Sequence, residues 1–121
     1  MKLVIFGLTI SSSWGNGHAT QWRGLCRALA RRGHRIVFFE RDVPYYSAHR
    51  DLWEFTGGTL VLYSDWTSAL AAATRELADA DVAIVSSYCP DGVAAADLVL
   101  SSRAVKIFYD LDTPVTLDEL D

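Results

Sequence analysis

The chain has 121 residues, half of them hydrophobic, and carries a formal net charge of −4. That length accommodates one hydrophobic core and a single domain. No apolar stretch approaches the roughly 20 residues of a membrane span, and the apolar start is too short for a secretory signal. Cys26 and Cys89 make neither a metal-ligand spacing nor a disulfide framework, which predicts free thiols in a cytoplasmic protein without a bound metal.

Positive charge is concentrated at the start of the chain. Residues 1–41 carry seven Lys or Arg and one acidic residue, whereas residues 42–121 carry four and fourteen. A basic segment can attract phosphate or nucleic acid. However, Arg23, Arg27 and Arg31 recur every four residues, which is typical of the solvated flank of an amphipathic helix. Because no basic stripe interleaved with aromatic residues is present, we expect no nucleic-acid partner.

The first third of the chain alternates between strand and helix patterns. Apolar runs at residues 2–8 and 35–40 have the length and the β-branched content of buried strands. Between them, residues 18–32 carry apolar side chains at helical spacing, on a face formed by Trp22, Leu25, Cys26 and Leu29. Gly33 follows at the position where a helix commonly ends in glycine.

The rest of the chain continues this alternation. Further strands are predicted at residues 59–63, 81–85 and 105–109. Regular alternation of strands and helices predicts an α/β fold, a Rossmann-like three-layer sandwich with a parallel sheet of about five strands.

Two more helices are expected between these strands. Asp65 can cap the first of them. Its predicted inner face consists of Trp66, Leu70, Ala73 and Leu77. Pro90 suits the first turn of the second, which runs to about Leu100.

The segment after the first strand is the most promising place for a ligand. Open parallel sheets bind ligands beyond the carboxyl ends of the strands, near the point where the strand order reverses. Gly15, Asn16 and Gly17 lead directly into the helix predicted at His18. Glycines let a backbone approach a phosphate closely, and a helix N-terminus favours an anion.

Two interpretations of this loop use general principles alone. In the first, the glycines only permit a turn. In the second, Gly15 and Gly17 begin the dinucleotide-binding pattern Gly-x-Gly-x-x-Gly, and Glu40 is the acid that ends the second strand. That pattern is incomplete, because Thr20 stands at its third glycine and the loop is too long for the usual tight turn.

A third interpretation rests on a resemblance to a known family. Gly15-Asn16-Gly17-His18, followed by Leu29-Ala30 and Gly33-His34, is similar to the opening of GT-B glycosyltransferases, where a Gly/His loop precedes a helix ending in Leu-Ala-x-x-Gly-His. More narrowly, three segments resemble the bacterial CgeB-like, spore-maturation-type glycosyltransferases. These segments are Ser13–His18, Phe38–Tyr46 and Tyr109–Pro114.

The resemblance implies a division of labour between two domains. In GT-B enzymes the N-terminal domain mainly holds the acceptor, the C-terminal domain holds the nucleotide-sugar donor, and catalysis takes place in the cleft between them without a required metal. Residues 1–121 would then be a truncated acceptor-side domain, inactive alone because the donor domain is missing. The expected partners are a sugar acceptor, a nucleotide sugar and that second domain, with no tightly bound cofactor.

The resemblance also assigns roles to residues of the glycine loop. His18 would be the catalytic base that takes the proton of the acceptor hydroxyl, a role that suits imidazole near neutral pH. The alternative is that His18 makes a local hydrogen bond at the helix start. Gly15, Asn16 and Gly17 would face the donor diphosphate.

Three other residues follow predicted strands and are expected to contact the substrate. Glu40, Tyr88 and Asp112 come after the second, fourth and fifth strands, at the sheet edge where the cleft would lie. Glu40 has an alternative as a surface ion-pair partner of Arg35 or Arg41.

Aromatic residues are concentrated in the irregular segment between the second and third strands. Tyr45, Tyr46 and Trp53 can stack on sugar rings or anchor the segment onto the core, and the sequence favours the anchor. A non-enzymatic binding module remains the alternative to the transferase. A domain separated from its partner exposes surface, so we also expect this chain to self-associate.

Overall fold

The computed structural model describes residues 1–111. Five strands alternate with helices along this part of the chain. They are β1 (Lys2–Gly7), α1 (His18–Arg31), β2 (Arg35–Arg41), α2 (Pro44–Ser47), β3 (Gly58–Tyr63), α3 (Trp66–Leu77), β4 (Val82–Ser86), α4 (Gly92–Leu100) and β5 (Val105–Tyr109).

The strands form one sheet in the order β3-β2-β1-β4-β5, and every neighbouring pair is parallel. From β1 the chain moves outward to β2 and β3 on one side, and then returns to β4 and β5 on the other. The strand order therefore reverses between β1 and β4, and their carboxyl ends flank the crevice in which such sheets bind ligands. The predicted Rossmann-like α/β fold is confirmed.

Alternate residues of the central strands enter two separate cores. On one face Ile5 and Phe38 pack with Trp22 and Cys26 of α1. On the other face Phe6 and Phe39, whose rings stack with centroids 5.0 Å apart, pack against α3 and α4. Each large side chain that is fully buried contributes about 1.5–3 kcal/mol. Because β1 and β2 supply both cores, they are the rigid centre from which the loops at the carboxyl edge extend.

Helix α1 ends where the sequence predicts. Gly33 has a φ of +82°, its N–H donates to the Ala30 carbonyl over 3.0 Å, and the His34 N–H donates to the Leu29 carbonyl over 3.1 Å. This paired arrangement is the Schellman motif, in which the left-handed residue is usually glycine because it has no Cβ.

The predicted inner face of α3 is partly wrong. Ala69, Ala73 and Leu77 are buried, whereas Leu70 exposes 42% of its surface. Leu70 lies at the edge of the apolar stripe of α3, next to Thr67 and Thr74, so it falls outside the strip that the sheet covers. Alanines occupy the buried positions because their small side chains let the helix lie close to the sheet. The predicted cap is confirmed, since Asp65 accepts a hydrogen bond of 2.8 Å from the Ser68 N–H.

Helix α4 and strand β5 complete the described fold. The helix begins at Gly92, two residues later than the turn predicted at Pro90, because Cys89 and Gly92 take part in turn hydrogen bonds. Within residues 1–111, β5 pairs only with β4. Val105 and Phe108 are consequently 64% and 59% exposed. None of the helices in this part of the chain is long and apolar enough to cross a membrane.

Candidate functional site

Three loops meet at the carboxyl edge of the sheet. The first joins β1 to α1 (residues 8–17), the second joins β2 to β3 and includes α2 (residues 42–57), and the third joins β4 to α4 (residues 87–91). The first and third flank the crevice between β1 and β4. We call residues 8–17 the glycine loop.

Glu40 fixes the base of the glycine loop. Its side chain, at the carboxyl end of β2, exposes none of its surface. Oε1 accepts hydrogen bonds from the Ile10 and Ser11 N–H groups over 2.8 and 3.0 Å, and Oε2 accepts one from the Ser11 hydroxyl over 2.6 Å. Hydrogen bonds to a buried carboxylate are strong. Glu40 therefore organises the loop from below, and its carboxylate is closed off from solvent.

Arg50 ties the second loop to the same point. Its side chain is 5% exposed and lies 3.7 Å from Glu40 Oε2. Nε donates to the Ser11 hydroxyl over 2.9 Å, and Nη2 donates to Asp42 Oδ1 over 2.8 Å. The guanidinium also lies over the Trp53 ring, 5.2 Å from its centroid. The buried carboxylate is thus matched by a buried cation, as burial of charge requires.

Further hydrogen bonds join the two loops along their length. The Ser11 carbonyl accepts from the Asp51 and Leu52 N–H groups over 2.9 and 3.0 Å. Asp51 accepts in turn from Ser13 and from both terminal nitrogens of Arg23. The bonds from Arg23 are the main reason that the pKa of Asp51 falls to about 2. Residues 11–13 and 50–52 therefore form one hydrogen-bonded unit.

Asn16 closes the end of the glycine loop on itself. Its Nδ2 donates to the Ser12 and Trp14 carbonyls, and its Oδ1 accepts from the Ala19 N–H over 3.1 Å in the first turn of α1. The side chain therefore caps the helix that Gly17 itself does not cap.

The two glycines of the loop have different reasons to be glycine. Gly15 has a φ of +62°, and a Cβ there would lie 2.5 Å from the Tyr45 hydroxyl. Gly17 has an ordinary φ, and a Cβ there would meet no atom within 4 Å. Gly15 is required by the fold of the loop, whereas the open space at Gly17 leaves the start of α1 accessible to a ligand.

His18 and Tyr88 face each other across the crevice. His18, in the first turn of α1, is buried at 6% exposure, and its ring contacts the Tyr88 ring edge-to-face with centroids 5.7 Å apart. Tyr88 has a φ of +62° and is the only non-glycine residue with positive φ between residues 1 and 111. A bulky residue in this region is strained, and such strain concentrates at functional sites. The first turn of α1 has no acidic side chain, so its dipole is left for a ligand.

A cavity of about 570 Å³ opens beside Tyr88, between α4 and β5. Burial raises the pKa of the Cys89 thiol in its wall to about 11, so Cys89 is a weak nucleophile at neutral pH. Asp91 crosses towards β2 and β3, where it pairs with Arg41 over 3.2 Å and accepts a 3.0 Å hydrogen bond from the Tyr63 hydroxyl. Burial also raises the pKa of Tyr63. This network holds the start of α4 in place.

The structure places some of the predicted site residues at the crevice and others in support of the glycine loop. Gly17, His18 and Tyr88 lie together at the crevice, and Asn16 is committed to capping. Glu40 is a buried support for the loop, paired with Arg50 and not with Arg35 or Arg41 at the surface. Asp112 lies outside the described residues.

The prediction that aromatic side chains anchor the second loop onto the core is wrong for Tyr45 and Trp53. Tyr45 and Trp53 expose 56% and 65% of their surface. Trp14 and His49, whose rings stack with centroids 4.0 Å apart, were not predicted to lie together. The buried position of Arg50 was not predicted either. Their contacts are long-range, because Trp14 lies in the glycine loop whereas His49 and Arg50 lie in the second loop, and no local sequence pattern indicates such contacts.

The comparisons with known proteins add no assignment. The chain matches no protein-family model, and no curated protein or solved structure is significantly similar to it. Within residues 1–111, no group of three His, Cys, Asp or Glu side chains is placed to hold a metal ion.

Proposed function

We propose that this chain is the acceptor-side domain of a glycosyltransferase that uses a nucleotide-sugar donor. The observation that carries the proposal is the meeting of His18 with the strained Tyr88 at the point where the strand order reverses. A potential base thus lies beside an open helix N-terminus, in the crevice where sheets of this kind bind ligands. The resemblance of the glycine loop to GT-B enzymes supplies the reaction class.

The environment of Glu40 favours a transferase over a dinucleotide-binding enzyme. In dinucleotide sites the acid at the end of the second strand binds the ribose hydroxyls. Here that acid is fully buried, and both of its oxygens accept hydrogen bonds from the glycine loop. A nicotinamide cofactor would therefore lack its usual ribose contact.

The proposal gives each residue of the crevice a specific role. The His18 imidazole takes the proton of the acceptor hydroxyl as that hydroxyl attacks the anomeric carbon and the nucleoside diphosphate leaves. The backbone at Gly17 and the dipole of α1 face the diphosphate. The Tyr88 ring contacts the imidazole edge-to-face, so it is placed to contact the acceptor beside the base. Asn16 keeps the loop in its folded form.

Nuclear magnetic resonance titrations of the ¹⁵N-labelled chain, joined to the donor domain that the proposal implies, test the ligand class. UDP-glucose, GDP-mannose and dTDP-glucose are added separately, and NAD⁺ is the comparison ligand. We expect a nucleotide sugar to shift the amide signals of Gly17, His18 and Tyr88, while NAD⁺ leaves them unchanged. Tighter binding of NAD⁺ at the same amides would reverse the ranking of the two classes.

Turnover tests the role of His18. The measurement requires this chain together with the donor domain that the proposal implies. His18→Ala should lower turnover by about 100-fold or more, the usual contribution of a general base, and His34→Ala, at the far end of α1, is the control. Turnover of His18→Ala that equals wild type would exclude the base assignment, and ligand binding without any transfer would favour a non-enzymatic module.

A further inference from the structure

A stacked aromatic pair lies on the surface at the rim of the glycine loop. The Trp14 and His49 rings are nearly parallel, with an angle of 14° and a centroid distance of 4.0 Å. His49 is exposed, and Trp14 still exposes 51% of its surface although one of its faces is covered. The second face of the indole is therefore open to solvent.

The backbone holds this pair in place. The Ser12 hydroxyl donates to the His49 carbonyl over 2.9 Å and accepts from the Trp14 N–H over 3.3 Å. The Trp14 carbonyl accepts a further hydrogen bond of 2.9 Å from Asn16. Ser12 itself is fully buried. These hydrogen bonds fix the backbone of both residues, and stacking on His49 restricts the indole ring. The ring therefore has less side-chain entropy to lose when a ligand binds.

Tyr45, from the second loop, extends this surface past Gly15. It is 56% exposed, and its hydroxyl lies directly over Gly15, the residue next to Trp14 in the chain. We call Trp14, His49 and Tyr45 the aromatic platform. His18 is four positions after Trp14, a distance of at most about 14 Å along an extended chain. A ligand on the platform can therefore also reach the crevice.

The charges beside the platform favour a neutral ligand. The two nearby arginines are both engaged by carboxylates, Arg23 by Asp51 and Arg50 by Asp42. No cation among them is left to pair with a phosphate. Within residues 1–111, Asp42 uses only Oδ1 as a side-chain acceptor, and this half-exposed carboxylate keeps Oδ2 for hydroxyl donors.

We propose that the aromatic platform binds a pyranose ring of the acceptor glycan. The apolar C–H face of a pyranose packs on the open indole face, while its hydroxyls bond to the Tyr45 hydroxyl and to Asp42. This inference rests on the proposed function for the name "acceptor". The platform itself rests on separate residues, so the two can fail independently.

The test uses neutral disaccharides as probes. Maltose, cellobiose, lactose and N,N′-diacetylchitobiose are titrated into the ¹⁵N-labelled chain. The indole N–H signal of Trp14 is followed in the wild type, and the backbone amide signals of Gly15 and His49 are followed in every variant. We expect at least one of them to shift these signals with millimolar affinity. Trp14→Ala should weaken binding at least tenfold, His49→Ala should weaken it less, and Trp14→Phe should retain part of it. Trp53→Ala is the matched control, because Trp53 is also an exposed tryptophan but lies under Arg50, outside the platform.

Each outcome decides between the two proposals. If all four disaccharides leave the Trp14 signal unchanged, or if Trp14→Ala binds as wild type does, the platform proposal is overturned. Stronger binding of uridine or adenosine at Trp14 would also overturn it, since the ring would then serve a nucleobase. A disaccharide shift at Trp14, together with no sugar transfer and no nucleotide-sugar shift at Gly17 and His18 when this chain is joined to the donor domain, would keep the platform and refute the transferase. The reverse result would keep the transferase and refute the platform.

Discussion

Replacing the buried Glu40 by glutamine should destabilise the domain and loosen the glycine loop. The substitution keeps the shape of the side chain but removes the charge that faces Ser11 and Arg50. Removing one partner of a buried ion pair costs about 3–5 kcal/mol. Arg50 keeps Asp42 as a partner, and the glutamine carbonyl can still accept from Ile10, so we expect about 2–3 kcal/mol. For a domain of this size that is a fall in Tm of roughly 8–12 °C.

Urea unfolding measures the loss, and hydrogen exchange locates it. We expect the Ile10 and Ser11 amides, which donate to Glu40, to lose protection in Glu40→Gln while the central strands keep theirs. Glu54→Gln, at an exposed position in the second loop, is the control and should change the free energy of unfolding by less than about 0.5 kcal/mol. A Glu40→Gln domain as stable as wild type, with both amides still protected, would show that Glu40 does not organise the loop.

Three further predictions concern other parts of the edge. Tyr88→Val should be less stable than Tyr88→Gly by about 1–2 kcal/mol in urea unfolding, since both variants lose the ring contact and only the valine variant is strained at a φ of +62°. Equal stability of the two variants would refute the claim that Tyr88 is strained. Arg23 holds the pKa of Asp51 below its unfolded value, so the stabilisation from this pair is complete above about pH 4. It should be lost as the pH falls towards 2, and an Asp51 titration midpoint near 4 in NMR would contradict this. The exposed Val105 and Phe108 on β5 should make the chain self-associate in sedimentation experiments, and Phe108→Lys should reduce this. A wild-type chain that stays monomeric at every concentration would show that the exposed side chains of β5 do not cause self-association.

The fold was predictable because its signals are local. Each buried strand is a short apolar run, and Gly33 and Asp65 mark a helix end and a helix start through backbone and capping chemistry that a few neighbouring residues determine. The exposure of Leu70 was not predictable from such local signals. At the edge of an apolar helix face, burial of a side chain depends on how closely the helix lies against the sheet, and the sequence pattern does not contain that information.

The site was predictable only in part, because its contacts are long-range. The position of the glycine loop follows from the order of strand, glycines and helix. The role of Glu40 does not, because it depends on Arg50 and on the Ser11 backbone, which the fold brings together from separate loops. The stacking of Trp14 on His49 has the same origin. A strand-end acid looks the same in sequence whether it binds a ligand or supports a loop.

The central claim is that the crevice at Gly17, His18 and Tyr88 is the acceptor side of a sugar-transfer site. A crystal structure of this chain with the donor domain that the proposal requires, bound to a non-hydrolysable nucleotide-sugar analogue, tests it most directly. The account predicts that the diphosphate faces the backbone at Gly17 and that the anomeric carbon lies on the same side as His18. A nucleotide bound along the end of β2, with its ribose on Glu40, would contradict it.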